Sequence, residues 1–207
     1  MSGGIAAVAV TMSIPKLVRN TSTTTLVLAG VVVGSLMSSV MSIIKVLADT
    51  DTQLAEITYW TMGSFSTVTF SDMLPVLPIV IVPAILILVM RFRLNVLSLG
   101  DSEARSLGID LQRTRGVFII CSTLITTGSV CAAGTVGWVG LIIPHISRMV
   151  VGSDNKKMLP FTVVLGSVFM LFIDFLCRSL AAAELRLGIL TGIVGGALLY
   201  FHTCKAE

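Results

Sequence analysis

The sequence predicts an all-α, polytopic membrane helical bundle, and three observations carry that prediction. Apolar residues make up 55% of the 207 and charged residues only 12%, far from the roughly 25% charge of soluble domains. Residues 21–44, 73–90 and 116–147 carry no charge at all, and about 20 apolar residues suffice for one helical crossing of the hydrocarbon core. The basic residues sit beside these apolar runs, as membrane orientation requires and nucleic-acid binding does not. The net charge of +3 therefore indicates no nucleic-acid partner, and the lipid bilayer is the first partner that composition implies.

Taken in order, Ser2 to Leu17 is a short apolar helix, and its charges Lys16 and Arg19 follow the apolar part, where a signal peptide needs them in front. Thr23 to Leu47 is the first full-length crossing. Its small residues Gly30, Gly34, Ser35, Ser38 and Ser39 recur close to helical spacing. Such residues let membrane helices approach closely, and on the residues alone helix packing is favoured over direct contact with a transported substrate. The polar loop Ala48 to Asp72 carries Asp49, Asp51, Glu56 and Asp72 beside Tyr59 and Trp60, residue types that favour the membrane interface. Within it, Thr52 to Met62 predicts a short amphipathic surface helix ended by Gly63. Met73 to Met90 then spans, with Pro75, Pro78 and Pro83 predicting a kinked helix whose freed backbone groups neighbours must cover.

Val117 to Val151 is too long for one crossing and carries Gly134, Gly137 and Gly140, so it divides near Gly134 into two helices joined by a tight turn. Leu159 to Leu180 and Gly188 to Phe201 form a last pair around AAAELR, making six or seven crossings in all. Between the apolar runs lies the polar segment Leu94 to Gly116. Its Asp101, Ser102 and Glu103, then Arg105, then Gly108, have the order of a short helix with an acidic first turn and a glycine stop, about 10 Å long. On residues alone it is either a solvated connector or a docking element. Placing it in the cytoplasm puts Lys16, Arg19, Arg91, Arg93, Arg105, Arg113, Arg115, Arg148, Lys156, Lys157 and Lys205 inside, and leaves Lys45, Arg178 and Arg186 outside, of 14 in total. Lys and Arg excess marks the cytoplasmic side, so 94–116 and the C-terminus face the cytoplasm and the acidic loop is external.

Three constellations could carry chemistry. His145 follows Pro144 near the inner end of a span and reads either as an interfacial histidine or as a proton relay or metal ligand. Asp174 and Arg178 are four apart on one helix, the spacing of a local ion pair, although Arg178 could equally face a partner's carboxylate. Cys121, Cys131, Cys177 and Cys204 lack metal-ligand spacing and read as small packing residues. No serine elbow, HExxH or phosphate-binding glycine loop occurs, so the chain is predicted to be no enzyme.

These stretches resemble the FecCD-type permeases, the membrane subunits of ATP-binding-cassette (ABC) importers for iron-siderophore complexes, haem and cobalamin. LSLGDSEARSLGI resembles the family's LALGEExARxLGV, and GWVGLIIPHISRMVVGSD its GFVGLIVPHIxRxLVGxD. DFLCRSLAAAELRLGILTGIVGGALLYF continues with the pattern DxxARxxxxPxELPVGxxTAxxGxPxFxxLL, departing from it at Arg186 and at Gly196 and Ala197. The similarity covers nearly the whole chain as one permease domain, 1–207. It implies the last six to seven helices of a ten-helix subunit, with about three helices lacking in front.

The resemblance further implies a second permease subunit and two cytoplasmic ATPase subunits that hold ATP and magnesium, no cofactor on this chain, and an extracytoplasmic solute-binding protein. Carried over position by position, Ser98, Gly100, Asp101, Glu103, Ala104, Arg105 and Gly108 lie in the segment that couples to the ATPase. Arg178 matches the arginine that meets the binding protein. Gly30, Gly34, Ser35, Ser38 and Ser39 would line the path, and His145 matches a family histidine to which the residues assign no role. The expected home is the cell membrane of a bacterium or archaeon. An ATP-independent carrier or structural subunit is the alternative class, but carriers bury ionisable residues at mid-membrane, where only Asp174 offers itself, near one end of its helix.

Overall fold

The computed structural model describes residues 2–17, 23–50, 52–66, 68–180 and 185–205, and among them every regular element is helical. In chain order these are α1 (Ser2–Leu17), α2 (Thr23–Leu47), α3 (Gln53–Thr61), α4 (Phe70–Val89), α5 (Arg91–Ser98), α6 (Asp101–Ser106), α7 (Leu111–Ala133), α8 (Val139–Val151), α9 (Asn155–Ser179) and α10 (Leu187–Lys205). The predicted bounds of α1 and α2 hold to the residue, and α3 forms where the amphipathic helix was expected, stopped by Gly63 at φ +73°.

Local signals explain the starts. The Thr69 amide donates to Asp72 Oδ2 at 3.2 Å in a capping box that opens α4, Asp110 accepts from the Arg113 amide at 3.1 Å to open α7, and Asp154 accepts from the Lys156 amide at 3.0 Å to open α9. Each side chain satisfies one of the amides a helix start leaves without an intrahelical partner. α4 runs unbroken through Pro75, Pro78 and Pro83, packed along α7, where Gly128 lets Val80 come close: a Cβ there would stand 2.9 Å from Val80 Cγ2.

Among the described residues, four helices are long and apolar enough to cross a membrane, α2 (from Val27), α4, α7 and α9, while Gly3–Ile14, Val139–Val151 and Leu187–Ala197 are shorter apolar helices. Two expectations change. The predicted division at Gly134 is there, but its halves are unequal, 23 residues in α7 and 13 in α8. The turn absorbs Gly134–Trp138 and Gly152, at φ +87°, stops α8 after about 20 Å, short of the roughly 30 Å hydrocarbon core. The polar segment 94–116 is also not a connector with one short helix. Its first residues finish α5, which was not foreseen, and from Leu111 it is already α7.

Packing is inverted relative to a soluble domain. Val31, Leu74, Val82, Leu171 and Phe175 are more than half exposed, whereas Thr114, Ser147 and Thr191 are buried. An apolar exterior of this kind matches a lipid solvent. α1 packs between α2 and α7, α4 pairs with α7, and α8, α9 and α10 form a third group. Two apolar clusters hold the ends. Val96, Ala104 and Leu111 tie α5, α6 and α7 together, and Ile173, Cys177 and Leu187 tie α9 to α10 at the other end.

Candidate functional site: the two ends of the bundle

The end bearing α6 gathers the starts of α7 and α9 and the close of α8, together with Arg91, Arg93, Arg105, Arg113, Arg115, Arg148, Lys156 and Lys157. α6 has six residues, too few to be stable alone. Ala104, with no exposed surface, wedges it between Val96 and Leu111. Gly100 at φ +123° and Gly108 at φ +74° turn the chain on either side, in backbone conformations that other residues adopt only at a cost.

Glu103 folds back over Gly100 and accepts from Ser102 Oγ at 2.7 Å. That hydrogen bond holds its carboxyl below the usual range. Ser106 Oγ donates to the Glu103 carbonyl at 2.7 Å, and Arg105 and Leu107 are exposed. Of the predicted coupling residues, Ser98 is the last residue of α5 and donates to the Asn95 carbonyl at 2.7 Å. Gly100 and Gly108 bracket the helix, and Ala104 is its buried anchor. Asp101 lies in the first turn, and its side chain falls outside the described residues. A cleft of about 320 Å³ opens beside α6, lined by Met90, Arg93, Asp110 and Arg113 among others, with Arg113 Nε 3.1 Å from Asp110 Oδ2.

At the opposite end, Arg178 Nε donates to Asp174 Oδ2 at 2.9 Å, so the local ion pair read from the spacing is present. Ser64, Ser66, Leu185 and Leu187 surround it, and the Arg186 guanidinium lies 4.9 Å from the Tyr59 ring centroid. The chain there is bound backbone to backbone. Ser64 N donates to the Ala133 carbonyl at 2.9 Å, Leu187 N to that of Gly63 at 3.0 Å, and Gly188 N to that of Met62 at 2.9 Å, while Thr135 Oγ1 donates to the Thr61 carbonyl. This joint of α3, the α7–α8 turn and α10 was not predicted. Its only sequence signal is glycine at 63, 134 and 188, which does not reveal that the three meet.

α2 connects the two ends. Ala29 and Val33 are buried and α2 packs on α1, but Gly30, Gly34, Ser35, Ser38 and Ser39 are exposed, and a Cβ on either glycine would meet nothing within 4 Å. Among the described residues, then, neither glycine is a point of close approach to another helix. Ser35 and Ser39 donate their hydroxyls to the carbonyls of Val31 and Ser35, each at 3.0 Å. His145 is half-buried on α8 beside Pro144, and among the described residues no three His, Cys, Asp or Glu side chains come together to hold a metal. Cys121 and Cys177 are buried and Cys131 is exposed. Glu184, and the side chains of Lys16, His202 and Cys204, fall outside the described residues.

Apolar exterior, long spans and segregated charge define a multi-pass helical membrane protein. The chain belongs to the FecCD transport family, whose model matches residues 1–205. It is 37% identical over 173 residues to the molybdate import system permease protein MolB of Haemophilus influenzae, covering 84% of this chain and 51% of that one. It is 33% identical over 182 residues to the cobalamin import system permease protein BtuC of Halobacterium salinarum, covering 88% and 48%. A solved inward-facing structure of a putative metal-chelate type ABC transporter matches with a TM-score of 0.88 at 35% identity, covering 93% of this chain and 63% of that one. The chain spans about half the length of the curated relatives it matches.

Proposed function

We propose that this chain forms membrane-spanning permease structure of an ATP-driven importer, with α6 as the element that receives motion from a cytoplasmic ATPase. Ala104 carries the reading: it anchors α6 without exposing any of its own surface, while Glu103, Arg105 and Leu107 stay outward. A short helix so anchored is a rigid projection, able to transmit a push that a slack connector would absorb. The ATPase end is the cytoplasmic one because the Lys and Arg excess lies there, and the Arg178 end faces the solute-binding protein.

The assembly in this reading has a second permease subunit and two ATPase subunits that bind ATP and magnesium, in a bacterial or archaeal cell membrane. This chain hydrolyses nothing and lends its fold to alternating access. Solute passes along α2, whose Gly30, Gly34, Ser35, Ser38 and Ser39 offer space and weak polarity without charge. The substrate is a metal-bearing solute. The relatives' names widen the expected range of iron chelates, haem and cobalamin to include molybdate.

The test is the Glu103→Ala, Arg105→Ala double variant in the assembled transporter in proteoliposomes. Uptake of labelled ferric chelate, haem, cobalamin and molybdate is measured beside ATPase retention on purification. Retention and uptake should both fall; full uptake by the variant, or a complex that transports with no ATPase subunit, removes the reading.

A further inference from the structure

α5 meets the start of α9 through a dense set of polar contacts. Asn95 Nδ2 donates to Asp154 Oδ1 at 2.6 Å, and the Asn155 amide donates to Asn95 Oδ1 at 2.8 Å, so both ends of one side-chain amide are committed to the first turn of α9. The same Asp154 oxygen accepts from the Lys156 amide at 3.0 Å. Arg91 Nη1 donates to the Lys156 carbonyl at 3.1 Å, and Lys156 Nζ stands 4.9 Å from the Phe92 ring centroid.

We infer that Asn95 is a positioning residue that fastens the α5–α6 limb to the N-terminus of α9, so that a displacement of α6 is delivered to α9 and along it to Asp174 and Arg178. α7 follows α6 directly in the chain and moves with it by covalent connection. The group of α8, α9 and α10 follows in the chain only by way of α7 and the turn at its far end, and α5 packs on α9 at the α6 end. α9 has 25 residues, about 37 Å of helix, and its far end holds the Asp174–Arg178 pair and packs Ile173 and Cys177 against Leu187. A helix of that length, packed on α8 and α10, shifts as a unit. This inference rests on the proposed coupling role of α6.

The geometry dictates a swap experiment. Asn95→Asp sets two carboxylates against each other where one hydrogen bond of 2.6 Å now stands. Asp154→Asn keeps an acceptor for both the Lys156 amide and Asn95. The double variant restores the 95–154 hydrogen bond with the roles exchanged, the carboxylate at 95 accepting from the Asn155 amide and from the new amide nitrogen at 154; that nitrogen takes the place of the Oδ1 that now caps Lys156, so only the Lys156 amide loses its present acceptor.

In the assembled transporter in proteoliposomes, Asn95→Asp should retain the ATPase subunit and its basal hydrolysis yet lose at least about fivefold in uptake, the scale of a typical coupling energy. Asp154→Asn should stay near wild type, and the double variant should recover most of the uptake. Release of the ATPase by Asn95→Asp, undiminished uptake by that variant, or a double variant as defective as Asn95→Asp would each overturn the inference. Failure of the α6 reading shows instead in the Glu103→Ala, Arg105→Ala variant, which leaves the α5–α9 contacts untouched.

Discussion

Gly63 and Gly134 lie so close that a methyl group added to Gly134 would stand 2.8 Å from the Cα of Gly63 and run into the Trp60 carbonyl. Backbone alone fits between the end of α3 and the α7–α8 turn. Both glycines have positive φ, +73° and +75°, so conformation and space exclude a side chain together. Gly108 shares the conformation at φ +74° but has nothing within 4 Å of an added Cβ.

Gly108→Ala should therefore cost about 1–2 kcal/mol, the price of the left-handed backbone alone. Gly134→Ala should cost clearly more, because α3 and the turn must also separate. Thermal unfolding of the purified protein in detergent compares the two, and equal melting temperatures would show that the joint bears no load.

Arg178→Glu breaks the pair with Asp174 on an arginine whose side chain is 54% exposed. Exposed pairs contribute at most about 1 kcal/mol, so the variant should fold. If Arg178 also meets the binding protein, uptake should drop sharply and return when a facing carboxylate on that protein is changed to a basic residue. Loss of uptake that no such reversal repairs would assign Arg178 to the local pair only.

Gly34→Leu adds bulk where an added Cβ meets only open space in this chain. Stability should hold and expression should stay normal. Should α2 line the solute path, uptake falls; unchanged transport of every tested solute would remove Gly30 and Gly34 from the lining.

Asp154 is held below the ordinary carboxyl range, first by the Lys156 amide and then by Asn95. A carboxyl depressed in the folded state contributes stability above its unfolded value, and that contribution fades as pH falls through the folded value. Below about pH 5 the wild type should therefore lose more stability than Asp154→Asn, which has no proton to take up at that position. Melting temperatures measured from neutral to acid pH check the sign, and parallel curves would show that the contact carries no pH-linked stability. The effect is modest, since Asp154 is exposed to solvent.

Much of this was legible along the chain because its causes are local. Charge-free runs marked the helices, Gly63 and Gly134 marked stops, and the four-residue spacing of Asp174 and Arg178 marked their ion pair. α5 was not legible, since RFRLNVLS is polar and short, and becomes helical where Val96 finds Ala104 and Leu111. Asn95 gave no signal either, for its partners lie 59 and 60 residues further on.

The sequence by itself determined that this is a helical membrane protein, where most helices start and stop, and which end is basic, because hydrophobic runs, caps and glycines act within a few residues. Only the tertiary structure decided which glycines meet, which amide clasps which carboxylate, and that Gly30 and Gly34 face open space. Lipid and neighbouring helices are equally apolar, so a run of Val and Leu does not say which of them its faces will touch; the close approach of backbones and the pairing of distant polar groups settle that.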